Sequence, residues 1–218
     1  MASLGELLED SLDGVQDKWL LKSIDSSLKE AQRPARQGVF YPSALGSICD
    51  RYLYNCYNGL VKEEEISAVA RRIFDCGDYL GDRYEKYFEK MNVLLETESV
   101  IKADDPPISG RLDFLISHPE HEQLLIELKS INQRGFNALK EPKPEHTVQI
   151  QIYLNLTGYQ HGVVLYECKN DQKIKAFEVK KDPEHWKEIY DRCKRIMNMT
   201  SQPEKCTGYR YCACKRED

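Results

Sequence analysis

The sequence predicts an α/β domain built on a central mixed β-sheet flanked by helices, and three observations predict it. Strand-like segments follow one another at 93–101, 109–117 and 123–131. Helical patterns precede and follow them, at 65–91 and 144–157. Two more strand-like segments, 162–168 and 173–180, then lead into a last helix. The 218 residues suit one domain with an appended arm, divided here into an N-terminal helical arm over 1–40 and the α/β domain over 41–218.

Each element has a local reason. Apolar residues recur at helical spacing through Leu4, Leu7, Leu8 and Leu12, then Val15, Trp19, Leu20, Ile24 and Leu28. Asp13-Gly14 breaks that run into two short helices. Ser43 suits the cap of a helix passing through Cys49, Leu53 and Cys56 to the stop signal Asn58-Gly59. Asp104-Asp-Pro-Pro107 supplies the turn between the first two strands. Gly158 ends the helix begun near 144, and Pro183 opens the final helix, which runs to about Met199.

Composition narrows the function classes. With 41% hydrophobic and 31% charged residues and no long apolar run, the chain fits a soluble globular protein, not a membrane protein or a disordered one. The first ten residues lack the basic and apolar regions of a signal peptide, so an intracellular, reducing compartment is expected. The net charge of −5 argues against a generic polyanion binder, although a basic groove can sit on an acidic body. Basic clusters occur at Arg33/Arg36, Arg71/Arg72, Lys129/Arg134/Lys140/Lys143 and Lys205/Arg210/Lys215/Arg216. The third of these lies beside the acidic strands.

Those strands carry the chemistry. Side chains alternate across a strand, so Glu127 and Lys129 share one face while Ile126 and Leu128 point into a core. The same alternation separates Arg111, Asp113 and Leu115 from Leu112, Phe114 and Ile116. Two carboxylates on adjacent strands repel unless a cation sits between them, and a divalent ion that prefers oxygen is the usual solution. A lysine beside them suits an anionic substrate. On the helix that follows, His146-x-x-Gln149-x-x-x-Tyr153 sets three polar groups on one side. Cysteines stand at both ends of the domain: Cys49 in Ser43-Ala-Leu-Gly-Ser-Ile-Cys49-Asp-Arg51, and Cys206, Cys212 and Cys214 in the tail. Cys56, Cys76, Cys168 and Cys193 fall within elements and read as small buried hydrophobes.

Together these motifs resemble the PD-(D/E)xK nuclease superfamily, in particular its RecB-like branch of phage and CRISPR-associated exonucleases, over roughly residues 41–214. Gly110-Arg-Leu-Asp113 resembles the acidic motif, Glu127-Leu-Lys129 the (D/E)xK motif, and Gln149 with Tyr153 the QxxxY motif. The resemblance implies a restriction-endonuclease-like core and metal-dependent hydrolysis of DNA. It implies Mg2+ or Mn2+ on Asp113, Glu127 and the Leu128 backbone carbonyl, Lys129 beside the phosphate, and Gln149 and Tyr153 positioning it. It also implies DNA contacts for Arg51, Arg111, Arg134 and His146, and recombination or replication proteins as partners.

Cys49, Cys206, Cys212 and Cys214 match an iron-sulfur (4Fe-4S) staple in this resemblance. Their Cys-x5-Cys-x-Cys tail departs from the family spacing and keeps Zn2+ as the alternative. A second departure is Gly81, which stands where the family places a metal-facing histidine and leaves Asp82 or Glu85 to supply a third ligand. Two other classes stay open: a DNA-binding or complex-assembly protein of the same fold with little turnover, and a metal-stapled structural or redox module.

Overall fold

The computed structural model describes residues 17–28, 37–61, 66–206, 212 and 214. The expected helix through Leu4 to Leu12, the cations Arg33, Arg36, Arg210, Lys215 and Arg216, and Val15 lie outside them. The chain forms two compact units, Met1–Pro34 with Glu63–Cys76, and Ala35–Lys62 with Gly77–Asp218. Among the described residues no helix is long and apolar enough to cross a membrane.

The first unit contains α1 (Lys18–Ser27) and the opening turns of α4 (Ala68–Lys90). Asp17 caps α1 by accepting from the Leu20 amide at 2.9 Å, which satisfies a donor the helix itself cannot pair. Arg72 is ion-paired with Asp25 at 2.6 Å, on a surface exposed enough that the pair adds little stability.

The second unit holds the sheet. Its strands are β1 (Leu94–Thr97), β4 (Phe114–His118), β5 (Glu122–Ile131), β6 (His161–Cys168) and β7 (Ile174–Lys180), adjacent in that order. β5 and β6 pair in parallel and every other pair is antiparallel, so the sheet is mixed as expected. The parallel pair needs a crossover, which α5 (Gln133–Ala138) and α6 (Pro144–Thr157) provide. β2 (Val100–Asp104) and β3 (Pro107–Arg111) form a separate two-stranded ribbon.

Both faces of the sheet are covered. On one, Leu80, Tyr84 and Phe88 of α4 pack on Phe114, Ile116, Leu124, Ile126 and Leu165. On the other, Ile150, Tyr153 and Leu154 of α6 pack on Leu112, Leu115, Leu125 and Val164. A further layer covers the outer side of α6, where Ile152 meets α2 (Pro42–Leu45), α3 (Asp50–Asn58) and α7 (Pro183–Met197) through Leu45, Leu53, Ile189 and Ile196. Partners on both sides explain why α6 has no single apolar face and is buried through Gln149–Leu154, Gln149 and Gln151 included. Arg192 and Arg195 of α7 hold Asp50 at 2.8 and 2.7 Å and tie α7 to the start of α3.

Three local expectations change. The segment 93–101 is two strands, β1 and β2, and 109–117 is likewise two, β3 and β4. The breaks face each other: Glu98 donates its amide to the Asp113 carbonyl at 3.0 Å, and the Leu112 amide donates to Ser99 at the same distance. This kink also resets the alternation. Leu112 joins the cluster of Leu115, not that of Phe114 and Ile116. The helix expected from Ser43 to Asn58 is split as well, with Pro42 at the first position of α2 and Cys49 capping α3 through its sulfur. Of the additional cysteines, Cys168 and Cys193 are buried as expected, Cys56 is half-buried and Cys76 is exposed, which corrects its reading as a core residue.

Candidate active site

The kink between β3 and β4 frees Asp113 from both ladders and places it beside β5. Its Oδ2 accepts the Leu128 amide at 2.7 Å, so the carboxylate is docked on the backbone between Glu127 and Lys129. Glu127 and Lys129 share the face that carries Leu125, as alternation requires, and that face is roofed by α6. Glu127 is 0% exposed and forms an ion pair with Lys129 through Oε1. No donor meets either of its oxygens with hydrogen-bond geometry.

The electrostatics follow from burial. Burial and then the Asp113 charge push Glu127 up to about 8, against the opposing pull of Lys129. Asp113 is raised chiefly by burial, with Lys129 and the Leu128 amide working the other way. Burial disfavours the Lys129 ammonium, but Glu127 and Asp113 outweigh it and hold its pKa above the usual lysine value. The three groups therefore constrain one another's charge.

Asp113, Leu128 and Lys129 line a cavity of about 650 Å3. Asp78, Asp82 and Glu85 of α4 line it too, together with Glu98 from the β1–β2 turn and Arg111. Acids outnumber cations there, which suits a bound dication. Asp78 and Glu98 escaped the sequence reading. Asp78, Asp82 and Glu85 recur at i, i+4 and i+7, a helical stripe that could have revealed the first; Glu98 carries no sequence signal. It adopts φ 55° in the kink and pairs with Arg111 at 2.5 Å. Gly77 and Gly81 also line the cavity, and a Cβ at Gly81 would meet nothing within 4 Å.

α6 supplies polar groups next to Arg111 and Lys129, although neither these groups nor Glu127 line the cavity. Tyr153 donates its hydroxyl to the Arg111 carbonyl at 2.9 Å and hydrogen-bonds Gln149, while burial and then Glu127 raise its pKa. His146 Nδ1 lies 2.7 Å from the Tyr166 hydroxyl, which also accepts the Lys143 amide. Burial, Lys129 and Lys143 push the imidazole down to about 3, so it is neutral. Three of the four expected DNA contacts, Arg51, Arg134 and His146, lie apart from the cavity lining. Arg134 is exposed on α5, and Arg51 donates to the Pro203 carbonyl at 2.8 Å.

Cys49, Cys206, Cys212 and Cys214 converge, with sulfurs within 4.8 Å of one another and Cys206 3.5 Å from Cys214. A single tetrahedral ion with metal–sulfur bonds near 2.3 Å spaces its sulfurs about 3.8 Å apart, so the quartet fits such an ion. Packed thiols cannot all ionise alone. Although burial opposes it, hydrogen bonds from its neighbours bring Cys214 down to about 7, and burial foremost pushes Cys212 up to about 12.

No protein-family model and no curated protein matches the sequence. Solved structures share the fold. The crystal structure of SSO0001 matches with TM-score 0.54 and 20% identity over 88% of this chain and 90% of that one. LHK-Exo in complex with dAMP matches with TM-score 0.55 and 20% identity over 75% and 88%. The structure of LHK-Exo described as an alkaline exonuclease from Laribacter hongkongensis gives TM-score 0.52 and 16% identity over 81% and 90%. At these identities the likeness is one of fold: the chain has an α/β fold similar to exonuclease structures.

Proposed function

We propose that the protein is a metal-dependent deoxyribonuclease of the PD-(D/E)xK type, RecB-like branch, acting as an exonuclease on single-stranded or end-containing DNA. The observation that carries this reading is Glu127. This fully buried carboxylate is repelled by Asp113 and ion-paired with Lys129 through Oε1 alone, so its second oxygen is costly unless a further cation meets it. The similar fold of LHK-Exo, an exonuclease also solved with dAMP, supports DNA as the substrate.

Asp113, Glu127 and the Leu128 carbonyl would hold Mg2+ or Mn2+, with Asp82, Glu85 or Glu98 supplying the third side-chain ligand in place of the histidine absent at Gly81. When bound, the ion supplies a Lewis acid that activates water and offsets charge on the scissile phosphate. Lys129 keeps its proton and neutralises charge that develops on the phosphoryl oxygens. Tyr153 fixes the Arg111 carbonyl, and Tyr153 and Gln149 would orient phosphate without adding charge. Neutral His146 contributes hydrogen bonding, and Arg111, Arg51 and Arg134 would contact the DNA backbone. The four cysteines form a metal staple between α3 and the tail. The sequence resemblance favours an iron-sulfur cluster, whereas the short sulfur separations favour Zn2+.

Purified protein with Mn2+ and end-labelled single- and double-stranded DNA tests the reading. Wild type should release short products and Asp113→Ala should not; full metal-dependent activity in Asp113→Ala would sink it. Gly81 motivates a second reading, a DNA-binding or assembly protein with little turnover. Tight DNA binding with no products from wild type would establish that reading instead.

A further inference from the structure

We propose that His121, His161 and Glu178 form a further metal site, for a dication of the zinc class, at the β4–β5 turn and apart from both the Asp113 cavity and the four cysteines. His118, the last residue of β4, pairs with Glu122, the first residue of β5, and His121 lies in the turn between them. Glu122 precedes Glu127 by five residues, about 16 Å along an extended strand. His161 opens β6 on the same face as Val163 and Leu165, and Glu178 on β7 is paired across from Val163. Strand alternation thus brings the histidine and the acid to one face, next to the turn that carries His121.

Three of the chain's five histidines stack here. The His118 and His121 rings lie 4.7 Å apart at 12°, and the His121 and His161 rings 3.9 Å apart at 10°. His118 is committed elsewhere, since its Nδ1 accepts the Glu120 amide at 3.2 Å, and it serves as a wall for His121. The other two rings address a single oxygen. His161 Nδ1 is 3.0 Å and His121 Nε2 is 3.8 Å from Glu178 Oε1.

A tetrahedral ion with bonds of about 2.0–2.2 Å places its donors about 3.3 Å apart, a value the two separations bracket. All three donor atoms lie within 4.8 Å of one another, and the two stacked rings must tilt apart to aim their lone pairs at one ion. Both imidazole side chains are about three-quarters buried, which limits the rotamer entropy lost on binding.

The donor chemistry selects the ion. Two imidazoles and one carboxylate prefer Zn2+, Ni2+ or Cu2+ to Mg2+, whereas the all-oxygen cavity around Asp113 has the opposite preference. The fourth position is left to water. A bound ion would clamp the β4–β5 turn to the β6–β7 pair.

Equilibrium dialysis of the full chain against micromolar Zn2+, with bound metal counted by mass spectrometry, tests the site. Wild type should hold one equivalent more than His161→Ala and His121→Ala, each confirmed as folded by circular dichroism. Titration of Zn2+ into Glu178→Gln should show at least tenfold weaker binding at this site. Replacement by Co2+ separates it from the cysteines: the wild-type minus His161→Ala spectrum should contain ligand-field bands without sulfur-to-cobalt charge transfer. Equal zinc content in wild type and both histidine variants would overturn the proposal.

Discussion

The Leu128 amide donates to Asp113 Oδ2 across 2.7 Å, and this one bond joins the two acidic motifs of the chain. It fixes the Asp113 carboxylate against the backbone that carries Glu127 and Lys129. The candidate ligands are thereby held before any ion arrives, so little ordering cost remains at binding.

Removing any of the three charged groups should affect catalysis far more than folding. Glu127→Gln, Asp113→Asn and Lys129→Ala are expected to lower cleavage by on the order of 10²–10³-fold or more, while circular dichroism spectra remain those of the wild type. A variant with normal spectra and normal turnover would remove that residue from the mechanism.

Glu127 predicts the pH dependence. Its folded pKa of about 8 lies above its ordinary value of 4.5, so the metal-free folded state holds an extra proton between those limits. Stability from this group is therefore fully present below about 4.5 and lost as pH rises through about 8. Metal binding has the opposite sign, because the ligand must be ionised. Mn2+ affinity should tighten by up to tenfold per pH unit from 6 to 8. Calorimetric titrations at three pH values check this, and Glu127→Gln should flatten the slope.

Gly81→His should tighten Mn2+ binding. The position lines the cavity and its Cβ direction is open, so the imidazole can be added without a backbone clash. Replacing a helical glycine also removes a helix penalty of a few tenths to about 1 kcal/mol, so the melting temperature should not fall. Half-saturation by Mn2+ in a cleavage assay reads the effect.

Gly110→Ala should damage the site without altering any polar group. A Cβ there would stand 2.6 Å from Pro42 Cγ and 2.8 Å from the Tyr153 hydroxyl. Either α2 or Tyr153 must move, and the bond from Tyr153 to the Arg111 carbonyl loosens. Destabilisation of about 1–3 kcal/mol by urea unfolding is expected, with reduced cleavage.

Metal content and the visible spectrum of anaerobically purified protein identify the cysteine-bound group. A colourless protein whose zinc falls by one equivalent in Cys214→Ser fits the sulfur separations, and a brown one fits the iron-sulfur reading. Cys214→Ser should lose that metal and lower the melting temperature, because Cys49 and the tail are then no longer joined.

Much of the fold was legible locally. The spans of α6, β5, β6 and β7 follow from periodicity, Gly158 and Pro144, and the mixed sheet follows from their order. The kink at Glu98–Ser99 and Leu112–Asp113 was not legible, because alternation continues through both segments and nothing local marks a break. α5 was missed for a similar reason: its six residues begin at an Asn132 cap that resembles an ordinary loop.

The candidate site divides along the same line. From the chain alone, Asp113, Glu127, Lys129, Gln149, Tyr153 and the three tail cysteines stand out as candidates because each lies in a short motif, whereas Cys49 stands far from the tail in sequence. Their environment depends on chain packing that no local motif encodes. Glu127 reads as a strand residue on a charged face, yet α6 covers that face and leaves the acid fully buried, with Lys129 paired to Oε1 alone. Glu98, Asp78 and the histidine stack likewise come together only through strand pairing and helix placement. Burial, and the dielectric it sets, depends on residues distant in the chain, and it is burial that raises the Glu127 and Asp113 carboxyls above their ordinary range.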